Sequence, residues 1–136
     1  MSCGRAFRIA ENSRTRWCGE CDKCRFVALI LSPFLTRDEV LAFMQVDVFE
    51  NGTFEEFALL LAVGGARPFD CVGEPDETSL AVRNAGPTWA TIPIFAALRE
   101  SIADWQPTPE RVAEILQPSA QHCLSPELAR VLDDAS

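Results

Sequence analysis

Three cysteines stand at three-residue spacing in the run RWCGECDKCRF, which extends from Arg16 to Phe26. A Cys-x2-Cys pair presents two sulfur atoms to one metal ion from a single tight turn, and structural zinc takes four ligands in a tetrahedron. The spacing of Cys18, Cys21 and Cys24 therefore predicts a metal site that still needs a fourth ligand.

The fourth ligand that we expect is Cys3, because the segment from Cys3 to Cys18 is short enough to close a small loop. His122 and Cys123 are alternatives, although both lie much further along the chain. Four thiolates leave no open coordination position, so the site is predicted to hold structural Zn2+ and to contribute folding energy. Iron–sulfur ligation, which also uses Cys-x2-Cys-x2-Cys, is the rival interpretation.

Charge is distributed unevenly along the 136 residues, whose net charge is −8. The first 25 residues carry six cations and three carboxylates, a local +3, which leaves −11 for the remainder. An acidic body argues against a general nucleic-acid binder, because phosphate contacts need clustered cations. The basic head either balances metal-bound thiolates or faces a small phosphorylated ligand.

The longest apolar run, FVALILSPFL, is interrupted by Ser-Pro and is shorter than the ~20 residues that a membrane helix needs. The sequence after Met1 does not resemble a signal peptide. We therefore expect no membrane association and a cytoplasmic location, where disulfides are not maintained.

The elements that must position the cysteines are predicted to be helices. Capping boxes begin at Thr36 and Thr53, a first-turn proline stands at Pro75, and Thr108 and Ser125 each precede a proline. The predicted helices are residues 22–31, one from Thr36 to about Val46, one from Thr53 to about Val63, residues 75–84, residues 91–105, and two short final ones after Thr108 and Ser125. The predicted core residues are Phe26, Leu29, Ile30, Phe54, Phe57 and Leu60, and the tryptophans Trp17, Trp89 and Trp105 are assigned to packing.

These patterns predict a mainly α protein, a single helical domain over residues 1–136. Residues 1–25 form its zinc-knot segment and residues 26–136 its helical body. No P-loop, dinucleotide fingerprint or SGGxDS-type pyrophosphatase loop is present in the sequence.

Three motifs carry a resemblance to a known family: SCGRAF (2–7), RWCGECDKCRFVALILSPFL (16–35) and ARPFDCVGEPDE (66–77). Together they resemble the C-terminal part of the MurL-type UDP-N-acetylmuramoyl-L-alanyl-L-glutamate epimerases. The cysteine pattern alone also resembles the zinc knot of 7-cyano-7-deazaguanine synthases, which belong to the PP-loop pyrophosphatase superfamily.

The resemblance implies a function in peptidoglycan precursor synthesis. The family inverts the terminal L-glutamate of UDP-MurNAc-L-Ala-L-Glu, using ATP and Mg2+ and releasing AMP and pyrophosphate. It also implies that this chain is the C-terminal part of a larger α/β PP-loop-type enzyme, an isomerase. The nucleotide-binding N-terminal domain is absent from these residues, so we expect the chain alone not to adenylate its substrate.

The resemblance extends to the loop that contains Asp70, Cys71 and Glu74, which are the candidate catalytic residues. Inverting an α-carbon requires a base on one face and an acid on the other, and a thiol with a tuned pKa can serve. Cys71 is the candidate thiol. Asp70 and Glu74 are candidate bases or candidate groups on the side of the site that faces Mg2+. The structural alternatives are that Cys71 is buried and inert and that Asp70 caps a turn.

Arginines in the basic head, Arg5, Arg8 and Arg16, are candidates for holding nucleotide or UDP phosphates, because a guanidinium suits bidentate phosphate contact. The implied partners are UDP-MurNAc-L-Ala-L-Glu and the missing nucleotide-binding domain or subunit. A second hypothesis is a non-enzymatic, zinc-binding helical module that binds a protein partner. The acidic helical body is compatible with either.

Overall fold

The computed structural model describes residues 17–68 and 72–117, together with Ser125 and Arg130. Within these residues the secondary structure is helical and contains no strand, which confirms the prediction of a small helical fold. The chain divides into two compact units, Met1–Gln106 and Pro107–Ser136. None of the described helices is long and apolar enough to cross a membrane.

Six α-helices are described, and short 3₁₀ segments connect some of them. The helices are α1 (Asp22–Leu31), α2 (Arg37–Met44), α3 (Phe54–Ala58), α4 (Pro75–Asn84), α5 (Pro93–Ser101) and α6 (Pro109–Leu116), and the 3₁₀ segments are Leu59–Leu61, Val63–Gly65 and Pro87–Thr91. The first five helices belong to the first unit and α6 belongs to the second. The helix predicted after Ser125 falls mostly outside the described residues.

The predicted capping boxes are present at the starts of α2 and α3. At α2, the Thr36 hydroxyl accepts the backbone N–H of Glu39 at 3.3 Å, and the Thr36 backbone N–H donates to the Glu39 carboxylate at 2.8 Å. This backbone hydrogen bond, with the bond from the Thr36 hydroxyl, lowers the pKa of Glu39 below its ordinary value. The caps fix where each helix begins, as the sequence predicts.

Two helices differ from their predicted lengths. The helix after Thr53 ends at Ala58 and tightens into 3₁₀ turns, because Ala62 (φ 53°) and Gly64 (φ 78°) turn left-handed. The helix predicted from Thr91 begins instead at Pro93, since proline lacks an N–H and suits the first helical position.

Aromatic side chains form the centre of the first unit. Trp89 is fully buried, and its ring centroid lies 5.2 Å from that of Phe95 and 5.6 Å from that of Phe49. Its indole N–H donates to the Leu35 carbonyl at 2.8 Å. Phe49 stacks on Phe57 at 4.8 Å with nearly parallel planes. Of the predicted core residues, Leu29, Phe57 and Leu60 are buried, whereas Phe26, Ile30 and Phe54 are half-buried.

Helix α1 is held against α4 and the segment that follows it. The buried Ser32 hydroxyl donates to the Leu29 carbonyl at 2.6 Å, and the Ser32 carbonyl accepts the Gly86 N–H at 3.3 Å. Arg99 of α5 donates to the carbonyls of Val82 and Ala85, which satisfies the C-terminal end of α4. Because α1 carries Cys24 and α4 begins beside Glu74, this packing fixes both candidate sites in one unit.

Candidate metal centre and the adjoining cavity

The three cysteines of the Cys-x2-Cys-x2-Cys run, Cys18, Cys21 and Cys24, form a cysteine cluster at the start of α1. Gly19 adopts a left-handed conformation (φ +77°) that turns the chain between the first two. Cys21 is the N-cap residue of α1, and its carbonyl accepts the N–H of Cys24 at 3.0 Å. A turn and a helix start thus bring the three thiols together.

The geometry of the cysteine cluster fits a single metal ion. The Sγ atoms of Cys21 and Cys24 are 3.5 Å apart, those of Cys18 and Cys24 are 3.8 Å apart, and all three lie within 4.8 Å of one another. Zinc bound at about 2.3 Å to tetrahedral sulfur ligands separates those sulfurs by about 3.8 Å. In an iron–sulfur cluster the cysteines are shared among several irons, which places some of them further apart. The cluster can therefore hold a metal ion, and its spacing favours one ion over several.

Burial raises the pKa of the Cys24 thiol well above its ordinary value, and the neighbouring Cys21 and Cys18 raise it further. A hydrogen bond from the Gly19 backbone N–H acts in the opposite direction. A buried thiolate needs a cation beside it, and metal binding displaces the thiol proton. The burial of Cys24 thus suits a metal ligand better than an exposed nucleophile.

Arg25, directly after Cys24, is a buried cation that connects α1 to α3. Its guanidinium pairs with Glu56 at 2.7 Å and with Asp22 at 3.4 Å, and it lies 5.9 Å from the centre of the Phe57 ring. Its Nε atom has no hydrogen-bond partner in the described part of the chain. Because burying a cation is costly, we infer that this pair orients α1 on α3 more than it adds stability.

Replacing Gly19 by alanine tests the turn of the cysteine cluster. An added Cβ would lie 2.5 Å from Val46 Cγ2, and the left-handed backbone already disfavours any side chain. We expect a loss of about 2 kcal/mol or more in the free energy of unfolding, and weaker zinc binding. Chemical unfolding and competition with a chelating dye measure the two effects.

Gly64→Ala is the matched control, because Gly64 has nearly the same φ (+78°) but no heavy atom within 4 Å of an added Cβ. It should lower the free energy of unfolding by about 1 kcal/mol, which is the cost of the left-handed backbone alone, and leave zinc affinity unchanged. If Gly19→Ala and Gly64→Ala behave alike in both measurements, the turn is not part of the metal site.

The second feature is a cavity of about 140 Å³ beside the start of α4. Its walls come from the 3₁₀ segment after α3 and from both sides of the loop that precedes α4. The lining residues are Leu60, Arg67, Pro68, Val72, Gly73, Glu74 and Pro75. This cavity, called the α4 cavity below, adjoins the loop in which the sequence places the candidate catalytic residues.

Glu74, the candidate catalytic residue that the structure describes, lies at the rim of the α4 cavity. It is exposed, and its carboxylate is 3.4 Å from Nη1 of Arg67. Arg67 was not among the residues predicted from the sequence, although a cation at the start of the ARPFDCVGEPDE motif was a usable signal. The remaining candidates lie outside the described residues, and they are Cys3, Arg5, Arg8, Arg16, Asp70, Cys71, His122 and Cys123.

Phe26 of α1 connects the cysteine cluster to the α4 cavity. A Cβ added to Gly73 would come within 2.5 Å of the Phe26 ring and would also meet the Glu77 carboxylate. Only glycine fits at this close approach. The orientation of α1, which the cysteine cluster begins, therefore bears directly on the rim of the cavity.

A small domain that is helical throughout its described residues, with a cysteine cluster that can hold a metal ion, is the class of protein that these features define. Residues 1–113 match the model of the family described as the MurL C-terminal domain, so the chain belongs to that family. No solved structure matches the chain.

The curated relatives are proteins named UDP-N-acetyl-alpha-D-muramoyl-L-alanyl-L-glutamate epimerase. The relative from Micromonospora sp. is 31% identical, over 96% of this chain and 30% of its own length. That from Salinispora tropica is 34% identical, over 76% of this chain and 23% of its own length. That from Xanthomonas oryzae pv. oryzae is 31% identical, over 93% of this chain and 29% of its own length. The chain thus spans less than a third of each of these relatives.

Proposed function

We propose that this chain is the C-terminal domain of a MurL-type epimerase, acting in the cytoplasm on a peptidoglycan precursor. With the nucleotide-binding part of such an enzyme, it inverts the terminal L-glutamate of UDP-MurNAc-L-Ala-L-Glu to D-glutamate. The observation that supports this most directly is the family match over residues 1–113, together with the names of the relatives.

The metal in this proposal is a structural Zn2+, held by the cysteine cluster and by Cys3. The sulfur spacing of 3.5 and 3.8 Å supports a single tetrahedral ion. Its role is to anchor the start of α1, and through Arg25 and Phe26 to set the position of α3 and of the cavity rim. A closed set of four thiolates has no vacancy for substrate, so the metal takes no part in the proton transfers.

The chemistry in this proposal is a two-base inversion on an activated carboxylate. ATP and Mg2+, bound by the other part of the enzyme, convert the α-carboxylate to an adenylate, which removes its charge and acidifies the neighbouring C–H. One group takes the α-proton and a second returns a proton to the opposite face. Water then releases AMP and the carboxylate. We assign the proton transfers to the loop of Asp70, Cys71 and Glu74.

Exposed aromatic side chains before and on α2 support a docking surface for the rest of the enzyme. Phe34 is 78% exposed, and Phe43, which contacts the Trp17 ring at 5.9 Å, is also exposed. Aromatic residues are enriched at protein interfaces and are costly to leave in water. We assign these two exposed side chains, Phe34 and Phe43, to contacts with the preceding part of the epimerase.

A chimera tests the proposed function. These 136 residues replace the matching 29% of the Xanthomonas oryzae enzyme, and epimerisation of UDP-MurNAc-L-Ala-L-Glu is followed by chiral analysis of the released glutamate. We expect ATP-dependent conversion to the D-glutamate product. Phe34→Ser should lower it several-fold by weakening the docking, whereas Leu116→Ser, at a side chain 66% exposed on α6, should not.

A chimera that folds and binds ATP but yields no D-glutamate would overturn the epimerase proposal. It would favour the alternative of a non-enzymatic, zinc-binding interaction module. If Phe34→Ser and Leu116→Ser give equal activities, the docking surface is assigned wrongly even if the chimera is active.

A further inference from the structure

The α4 cavity has the size of a short amino-acid side chain. Its volume is about 140 Å³, and an engineered apolar cavity of about 150 Å³ binds benzene, a molecule of six heavy atoms. A glutamate side chain has five heavy atoms beyond its α-carbon. The cavity is therefore large enough to receive one such side chain.

The walls of the α4 cavity combine apolar surface with one ion pair, Arg67 with Glu74. Leu60, Pro68 and Val72 supply hydrocarbon, and Arg67 supplies a guanidinium at the same cavity. An arginine fork matches a carboxylate with two parallel hydrogen bonds. Apolar walls with a cation fit a short hydrocarbon chain that ends in a carboxylate.

The contact that Arg67 makes now is weak enough to be exchanged. Its Nη1 atom lies 3.4 Å from a Glu74 oxygen, longer than the ~2.8 Å of a strong charge-assisted bond. The two side chains are 65% and 72% exposed, and exposed ion pairs of this kind contribute little to stability. A ligand carboxylate can therefore take the place of Glu74 on Arg67.

The α4 side of the cavity rim is held in place by contacts that do not involve Arg67. The backbone N–H of Glu74 donates to the Glu77 carboxylate at 2.8 Å, which caps α4, and Pro75 occupies the first helical position. Gly73 packs against Phe26 with no space for a side chain. The backbone at Gly73 and Glu74 is thus held in place, and the exchange requires movement of the exposed side chain of Glu74.

We propose that the α4 cavity binds the side chain of the terminal glutamate of the peptide, with its γ-carboxylate on Arg67 and its methylenes against Leu60 and Val72. This inference rests on the proposed function, which supplies a glutamate-terminated ligand. Binding displaces the Glu74 carboxylate from Arg67 and leaves it at the rim beside the bound residue, where the sequence places a base. Arg67 is thereby the residue that distinguishes glutamate from glutamine.

Titration of the 136-residue chain with L-alanyl-L-glutamate, followed by 1H–15N NMR, tests the site directly. We expect saturable chemical-shift changes. L-alanyl-L-glutamine should bind at least about tenfold more weakly, because its side chain lacks the γ-carboxylate. Free L-glutamate serves as a second probe, and equal affinity for it would assign the site to free amino acids and overturn the peptide part of the proposal. Absence of saturation by the dipeptide would overturn the site itself.

Variants of the two rim residues are expected to change dipeptide affinity in opposite directions. Arg67→Ala should weaken dipeptide binding about tenfold or more and abolish the preference for glutamate over glutamine, and Arg67→Lys should restore part of both. Glu74→Gln should bind the dipeptide several-fold more tightly, because a competing carboxylate is removed. The matched control is Arg111→Ala, at an exposed arginine paired with Glu114 at 3.0 Å. It should change neither the dipeptide affinity nor the preference for glutamate over glutamine.

The outcomes separate this inference from the proposed function. Dipeptide binding that depends on Arg67, together with an inactive chimera, would retain the site and overturn the epimerase proposal. An active chimera whose KM is the same with Arg67→Ala would retain the epimerase proposal and overturn the site. Unchanged dipeptide affinity in Arg67→Ala is sufficient by itself to reject the role of this residue.

Discussion

Replacing Cys24 by serine is expected to abolish stoichiometric zinc binding and to lower the melting temperature by about 10 °C or more. Cys24 is fully buried and lies 3.5 and 3.8 Å from the two other sulfurs of the cysteine cluster. Structural zinc contributes about 10 kcal/mol or more of apparent binding free energy in small zinc-finger peptides at pH 7. Its loss should release the start of α1, and with it the buried Arg25 and the contact of Phe26 with the cavity rim.

Elemental analysis of the purified chain and circular dichroism during heating measure the two effects. Cys123→Ser changes the alternative fourth ligand, and it should leave both the zinc content and the melting temperature unchanged if Cys3 is the fourth ligand. Cys3→Ser should reproduce the Cys24→Ser result, since Cys3 is the predicted fourth ligand, and His122→Ala should not. One zinc per chain and an unchanged melting temperature in Cys24→Ser would overturn the assignment. Stoichiometric iron with visible absorbance in the unmodified chain would show that the site holds an iron–sulfur cluster and not zinc.

Replacing Trp89 by alanine is expected to cost about 3–5 kcal/mol in the free energy of unfolding. Trp89 is fully buried and contacts the rings of Phe49 and Phe95, so the truncation leaves a large cavity at the centre of the aromatic core. Trp89→Phe keeps most of that packing but leaves the Leu35 carbonyl without its indole donor, and should cost about 1–3 kcal/mol.

Denaturant unfolding at a fixed zinc concentration measures both Trp89 variants. Trp105→Phe is the control, because Trp105 is half-buried, packs at the edge of the core, and is expected to tolerate the change within about 1 kcal/mol. A Trp89→Ala protein that unfolds within about 1 kcal/mol of the original would show that the first unit does not depend on this core.

The helix bounds that the sequence predicted best are those with a strong signal at each end. The helix α1 begins after Cys21 and ends before Ser32-Pro33, and α4 begins at Pro75, all as predicted. The helix after Thr53 was predicted too long, because the left-handed Ala62 gives no signal in the sequence. Periodicity predicted which side chains face the core but not how deeply each is buried. Phe26 and Ile30 are therefore less buried than expected.

The cysteine cluster could be predicted because its three cysteines are neighbours in sequence, and local geometry alone brings them together. The α4 cavity could not, since Leu60, Arg67 and Glu74 meet only through the packing of separate segments. The burial of Arg25 was equally out of reach, because an arginine is ordinarily exposed and its partner Glu56 is distant in sequence. The catalytic assignments of Asp70 and Cys71 stay predictions.

Three successive residues of α1 each contact a different neighbour. Cys24 contacts the other thiols of the cysteine cluster, Arg25 the carboxylate of Glu56, and Phe26 the backbone of Gly73. Each residue added to a helix rotates everything after it by about 100°. A one-residue insertion or deletion in the first turn of α1 would therefore misalign all three contacts at once. Changes in chain length should accordingly be rejected there during evolution, and accepted instead around the glycine pair after Val63, where both glycines have open space around them.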